Sequence, residues 1–188
     1  MLHELILGGQ KSGKSRLAEQ RAADWLAADP ARQALLLATA QAGDAEMAAR
    51  IARHQADRAA RVPGLATCEV GADLAGAVAA HSAPQRLLVV DCLTLWLTQR
   101  LMPLQGEGDS DAQCSAAVQA LVQALQAAPG PVLLVSNEIG LGVSPLGAAV
   151  RRFLDALGTL HQRVAAVCPR VSLVVAGCVL PVKQETRP

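Results

Sequence analysis

Aromatic side chains are almost missing from this 188-residue chain: there is no Tyr, one Phe (Phe153) and two Trp (Trp25 and Trp96). A surface that stacks nucleic-acid bases needs several exposed rings, so that class of partner is disfavoured. An excess of one charge is missing too. Lys and Arg number 17 against 16 Asp and Glu, a net of +1, which leaves no basic footprint for a phosphodiester backbone. No apolar run approaches the roughly 18 residues needed to cross a bilayer. No charged segment followed by an apolar one marks a secretory leader, and the cytoplasm is the expected compartment. The five cysteines (Cys68, Cys92, Cys114, Cys168, Cys178) show neither C-x-x-C nor a Cys/His spacing suited to zinc. They are expected as free, small, buried hydrophobes.

Hydrophobic residues make up 52% of the chain and charged residues 18%, which excludes global disorder. The length fits one domain, residues 1–188. Its core must be built from Leu, Val and Ala. Short continuous apolar runs predict strands at Leu2–Leu7, Ala34–Ala38, Leu65–Val70, Leu87–Val90, Val132–Ser136 and Val171–Ala176, with Val179–Val182 a hairpin partner after Gly177. Helical spacing predicts helices over Ser15–Leu26, Asp44–Arg58, Ala72–Ala80 and Leu93–Leu101. A further helix opens at the capping-box spacing Ser110–Gln113, and a long one carries Val150, Phe153, Leu154, Leu157, Leu160 and Val164 on its apolar face. Strands apolar on both faces belong in a parallel sheet between helices, which gives a three-layer α/β domain.

In such sheets the ligand lies beyond the carboxyl ends of the strands. The first strand is followed there by Gly8-Gly9-Gln10-Lys11-Ser12-Gly13-Lys14-Ser15. This is G-x-x-x-x-G-K-[ST] between a strand and a helix, the setting the phosphate-binding loop requires. Its glycines let amide groups curl round phosphate oxygens, Lys14 reaches the β- and γ-phosphates, and Ser15 is a ligand for Mg²⁺. Asp91, ending Leu-Leu-Val-Val, is the second candidate for that metal; a helix cap is the competing role. Ala38-Thr39-Ala40 ends another strand with small side chains that allow close approach of a ligand. Asn137-Glu138 is polar at the end of a fifth strand and reads as site-facing or as a loop cap. His54 shares the inward face of its helix with Met47 and Ile51, between Arg50 and Arg58. A lone histidine on an apolar face is commonly a core group, but two flanking arginines and a nucleotide pocket fit a phosphate contact. Burial and positive neighbours favour the neutral imidazole that a nucleophile needs. His3, His81 and His161 lack such company and read as surface or structural residues.

Taken together, these segments resemble the bifunctional adenosylcobinamide kinase/adenosylcobinamide-phosphate guanylyltransferase family from about Leu5 to Lys183. The phosphate loop matches the family's Gly-Gly-x-Arg-Ser-Gly-Lys-Ser. Asp44 to Arg58 is similar to its Asp/Glu-Met…Arg-Ile…His segment, and Val90-Asp91-Cys92-Leu93-Thr94-Leu95-Trp96 to its second acidic motif. Ser136-Asn137-Glu138-Ile139-Gly140-Leu141-Gly142 resembles its Asn-Glu-Val-Gly-x-Gly motif, continued by Arg152-Phe153-x-Asp155-x-x-Gly158. The chain departs from the family at Val143-Ser144-Pro145-Leu146-Gly147, at His161 where Asn is usual, and at Cys168-Pro169-Arg170.

The resemblance implies a P-loop NTPase-like domain with a mostly parallel central sheet. It implies that His54 becomes covalently guanylylated and that Gly8–Ser15, Ala38, Thr39, Ala40, Gln55, Ala56, Asp57, Arg58, Glu69 and Asp91 meet the nucleotide. Mg²⁺ with GTP or ATP, a small-molecule corrinoid substrate and a homo-oligomeric state follow from the same likeness. Two reactions are implied: phosphorylation of adenosylcobinamide, then GMP transfer from GTP to adenosylcobinamide phosphate. The alternative is a simple P-loop small-metabolite kinase with no covalent intermediate. A nucleic-acid motor is a third class, disfavoured by the charge and the scarce aromatics.

Overall fold

The structure, a computed structural model, describes residues 3–40, 45–143 and 145–185. The elements run β1 (Glu4–Gly8), α1 (Lys14–Ala27), β2 (Gln33–Ala38), α2 (Ala45–Arg61), β3 (Leu65–Glu69), α3 (Leu74–His81), β4 (Arg86–Asp91), α4 (Leu93–Leu101), α5 (Asp111–Ala127), β5 (Val132–Asn137), α6 (Ala148–Val167), β6 (Arg170–Val175) and β7 (Cys178–Gln184). Seven strands form one sheet in the order β3-β2-β4-β5-β1-β6-β7. All pair in parallel except β7, which returns antiparallel on β6 as the hairpin expected after Gly177.

Side chains alternate between the two faces of each strand, so neighbouring residues feed different cores. Leu5, Leu37, Leu88, Val90 and Leu134 pack with α3, α4, α5 and α6 through Val78, Leu97, Leu121 and Leu160. Ile6, Leu36, Val89, Leu133 and Val135 pack on the other face with Ala18 and Ala22 of α1. Small alanines bring that helix close to the sheet. Each fully buried Leu, Ile or Val contributes roughly 1.5–3 kcal/mol, which is how the layers hold with so few rings.

The buried polar residues Glu4 and His3 have partners. Glu4 lies within β1, where Ser172 donates to it at 2.7 Å and Arg21 and Arg170 approach at 3.4 and 3.7 Å. His3 is structural. Its Nδ1 accepts from Val132 N at 3.1 Å, so the ring's proton is on Nε2, which reaches Leu125 O at 3.0 Å. Ser110 makes the expected capping box with Gln113 at the start of α5.

One expectation needs correcting. Cys92, Cys114 and Cys168 are buried, but Cys178 is exposed on β7 and Cys68 is half-buried; β7 lies at the sheet edge and is exposed along most of its length. Trp96, five positions after Asp91, belongs to the core. It is 1% exposed, and its Nε1 donates to Ala72 O at 2.9 Å.

Candidate active site

The carboxyl ends of six parallel strands line one edge of the sheet. Register places Glu69 beside Ala38, Ala38 beside Asp91, Asp91 beside Val135, and Asn137 beside Gly8. At about 4.8 Å per strand, the backbone at the end of β1 and that of Asp91 stand roughly 10 Å apart across β5. Glu69 is four strands from Gly8, exposed on the edge strand, and reaches the same edge only at its far end.

The loop's shape follows from its glycines. A Cβ on Gly8 would come within 2.4 Å of Ser12 Oγ and 2.6 Å of Val174 O, so no side chain fits there. Gly13 has φ +105°, open to glycine but strained for other residues, and begins α1 with no side-chain cap. The helix's first amide groups therefore face the loop, where an anion is favoured. Lys14 donates to Gly9 O at 3.0 Å across the loop. From the other side, Gly177 N donates to Ser12 O at 2.8 Å, so the β6–β7 turn braces the cradle. Gly9, Gln10 and Lys11 are exposed, while Ser12 and Lys14 are buried.

Charges converge beside the loop. Burial pushes the Lys14 ammonium below its usual range, while Cys92 and Asp91 pull it back up. Burial pushes the Asp91 carboxyl up, against Arg58, Lys14 and the Ser15 hydroxyl, which favour its charged form. Arg58, on α2, is buried with its Nε 3.8 Å from Glu19 Oε1, and that N–H has no hydrogen-bond partner among the described residues. Arg61 takes the stronger place on Glu19, with two hydrogen bonds of 2.7 and 3.1 Å. Gln55 is half-buried, and Ala56 and Asp57 are exposed. His54 lies in the backbone of α2, one turn before Arg58; its side chain, like those of Met47, Arg50 and Ile51, lies outside the described residues.

Thr39 has a different task from the one its small size suggested. It is 0% exposed, and its hydroxyl both donates to Cys92 O and accepts from Cys92 N, each at 2.8 Å. It clips β2 to β4, and Gln99 donates to its carbonyl. Ala38 and Ala40 remain half-buried at the edge.

His161 has company the sequence did not reveal. It is buried on α6, with Nε2 2.7 Å from Ser136 Oγ and Nδ1 3.6 Å from Glu138 Oε2. Ser136 Oγ meets Thr94 Oγ1 at 3.0 Å, and Thr94 Oγ1 accepts from Asn137 N at 2.8 Å. Burial lowers the His161 pKa against the opposing pull of Glu138. Glu138 itself donates its amide to Gly8 O at 2.9 Å, which joins this cluster to the root of the phosphate loop. The spacing Ser-Asn-Glu was the one available signal, and it did not point to α6.

A separate cavity of about 470 Å³ lies between α5 and α6, lined in part by Cys114, Val118, Arg151, Arg152, Asp155 and Arg163. Its arginines are committed within the protein: Arg152 to Asp111 and the Asp109 carbonyl, Arg163 to the Ser115 carbonyl and Gln119, Arg151 to the carbonyls of Pro145 and Leu146.

A model of the family described as cobinamide kinase / cobinamide phosphate guanyltransferase matches residues 4–182. The bifunctional adenosylcobalamin biosynthesis protein CobP of Pseudomonas aeruginosa is 45% identical over 187 residues, covering 98% of this chain and 99% of its own. The bifunctional adenosylcobalamin biosynthesis protein CobU of Salmonella typhimurium is 37% identical, covering 95% of this chain and 98% of its own, and that of Escherichia coli is 35% identical over the same shares. A solved structure from Pyrococcus horikoshii OT3 covers 98% of this chain and 87% of its own with a TM-score of 0.56 at 8% identity, a likeness of fold alone. With its phosphate loop, its edge aspartate and a family match across nearly its whole length, the chain belongs to the cobinamide kinase / cobinamide phosphate guanyltransferase family.

Proposed function

We propose that one cleft at the carboxyl edge of the sheet performs both transfers of this family. In the first, the terminal hydroxyl of the aminopropanol arm of adenosylcobinamide takes the γ-phosphoryl group of ATP or GTP. In the second, His54 takes GMP from GTP and passes it to adenosylcobinamide phosphate, giving adenosylcobinamide-GDP. The observation that carries this reading is the convergence, beside Gly8–Ser15, of Asp91 and of Arg58 from the same helix as His54.

In the kinase step the loop amides and Lys14 hold the phosphate oxygens and stabilise the charge that develops as the group moves. Ser15 and Asp91 supply a hydroxyl and a carboxylate, the hard oxygen donors that suit Mg²⁺ with few protein ligands. Bound there, Mg²⁺ supplies charge neutralisation at the transferring phosphoryl group. In the guanylyl step the same loop holds the leaving pyrophosphate. The neutral His54 ring attacks the α-phosphorus, and Arg58, four residues on, offers the nucleotide an N–H that has no partner among the described residues. Splitting the transfer into two displacements is the gain from covalent catalysis. None of the three aromatics supplies an obvious stacking surface: Trp96 and Phe153 are buried, and Trp25 donates to Gln33 O with Arg32 stacked 4.0 Å above its ring. Guanine recognition on this chain rests on backbone and polar groups.

GTP labelled at the α-phosphate tests the reading. Wild-type protein retains acid-labile, base-stable label, and His54→Ala binds GTP but retains none. Equal label on both proteins sinks the role of His54. No label on a wild type that still turns over a phosphoryl acceptor makes the chain a simple P-loop kinase. A homo-oligomer in the cytoplasm completes the proposal; it is supported by Leu141, Val143 and Leu146, exposed by 82, 98 and 96%, and by the absence, among the described residues, of a helix able to cross a membrane.

A further inference from the structure

The cluster around His161 has a direction, and its two ends fix it. A backbone N–H can only donate, so Thr94 Oγ1 accepts from Asn137 N and its own hydrogen is available to Ser136 Oγ. At the other end a carboxylate can only accept, so the hydrogen of the neutral His161 ring lies on Nδ1, the atom that faces Glu138 Oε2 at 3.6 Å. Nε2 is then the acceptor, and Ser136 Oγ donates to it at 2.7 Å. The other carboxylate oxygen, Oε1, accepts from Gly140 N at 2.7 Å. Glu138 is thus held at Oε1 by its own loop, while Oε2 faces the His161 ring of α6. Its side chain stays partly open to solvent, and its amide is tied to Gly8 O. Each oxygen keeps a lone pair for another donor.

A carboxylate fixed in this way beside a phosphate cradle suits one task the loop, Lys14 and Asp91 leave undone. We infer that Glu138 is the catalytic residue that orients the acceptor hydroxyl in the kinase step and takes its proton, and that His161, Ser136 and Thr94 are positioning residues for it. The inference rests on the proposed kinase reaction. As the hydroxyl oxygen bonds to the γ-phosphorus, the bond from that phosphorus to the β–γ bridging oxygen breaks. Its electron pair leaves with the nucleoside diphosphate. The hydroxyl proton passes to Glu138 and then to solvent. The guanylyl step needs no such acceptor, because its attacking groups are a neutral imidazole and then an ionised phosphate.

Two transfers are measured on the same preparations: γ-labelled GTP to adenosylcobinamide, and retention of α-label from GTP without corrinoid. Glu138→Gln is expected to lower kinase kcat about a hundredfold, with the nucleotide KM and α-label retention unchanged. His161→Leu is expected to lower kinase kcat about tenfold, and His161→Asn, whose amide N–H replaces Nδ1–H, to recover most of it. Retained α-label shows that the variants fold with a working cleft. Kinase kcat of Glu138→Gln within threefold of wild type overturns the inference. So does an equal fall in both transfers, which marks a structural residue, or equal rates for the two His161 variants. A wild type that transfers no γ-label overturns the kinase reading itself.

Discussion

Gly8 and Gly9 are neighbours with unequal constraints. At Gly8 a methyl group meets Ser12 Oγ and, worse, the backbone carbonyl of Val174, which cannot swing away; at Gly9 it meets nothing within 4 Å. Gly8→Ala is therefore expected to cost about 1–3 kcal/mol and to weaken nucleotide binding, with Gly9→Ala within about 0.5 kcal/mol of wild type. Urea midpoints of the two variants check this, and equal midpoints refute it. Lys14 is a second test at this scale. Its ammonium is partly desolvated and set across the loop, a placement that would let it meet an anion at little reorganisation cost. Lys14→Ala should slow both γ-transfer and α-label retention by about two orders of magnitude. A loss confined to one transfer would mean that the two do not share the cradle.

The elements were legible wherever their signals were local. The capping box at Ser110 needed only four residues to read, and the structure has both of its hydrogen bonds. Ser110→Ala should cost about 1 kcal/mol, read as a shift in urea midpoint with an unchanged slope. Continuous apolar runs gave the buried parallel strands, and the glycines gave the loop between β1 and α1. Contacts that join distant elements did not show. Thr39 looked like a small residue near a ligand because nothing in its surroundings names Cys92, 53 positions away. His161 looked isolated because Ser136 is 25 positions before it, and Thr94 another 42 before Ser136. Trp96 is only five positions after Asp91, yet one turn of α4 carries it into the core. Helix periodicity told which residues share a face but not which layer that face meets.

For the whole molecule, buried titratable groups set the pH range of stability. His3 and His161 have folded pKa values below the ordinary 6.5. As pH falls through that value, the unfolded chain binds protons that the native rings refuse. Stability present above pH 6.5 is then lost, by up to about 1.4 kcal/mol per pH unit for each histidine, until the native values are reached. On the alkaline side, burial pushes the Cys168 thiol up to about 12 from an ordinary 9.0. Above 9 the unfolded chain loses a proton that the native thiol keeps, so stability falls as pH rises. Urea midpoints between pH 5 and 11 should show a plateau from about 6.5 to 9 with a decline on each side; a midpoint unchanged down to pH 5 contradicts it. Light scattering on the same samples should give a mass above 19.5 kDa if the exposed apolar segments pair copies of the chain. The sheet order also carries a consequence for synthesis. β1 lies between β5 and β6, and the loop after it is braced by Gly177. A ribosome releases the phosphate loop early, but the strands that flank it and the amide that steadies it emerge last. The growing chain therefore holds no finished phosphate cradle until the strands on both sides of β1 and the Gly177 amide have been made.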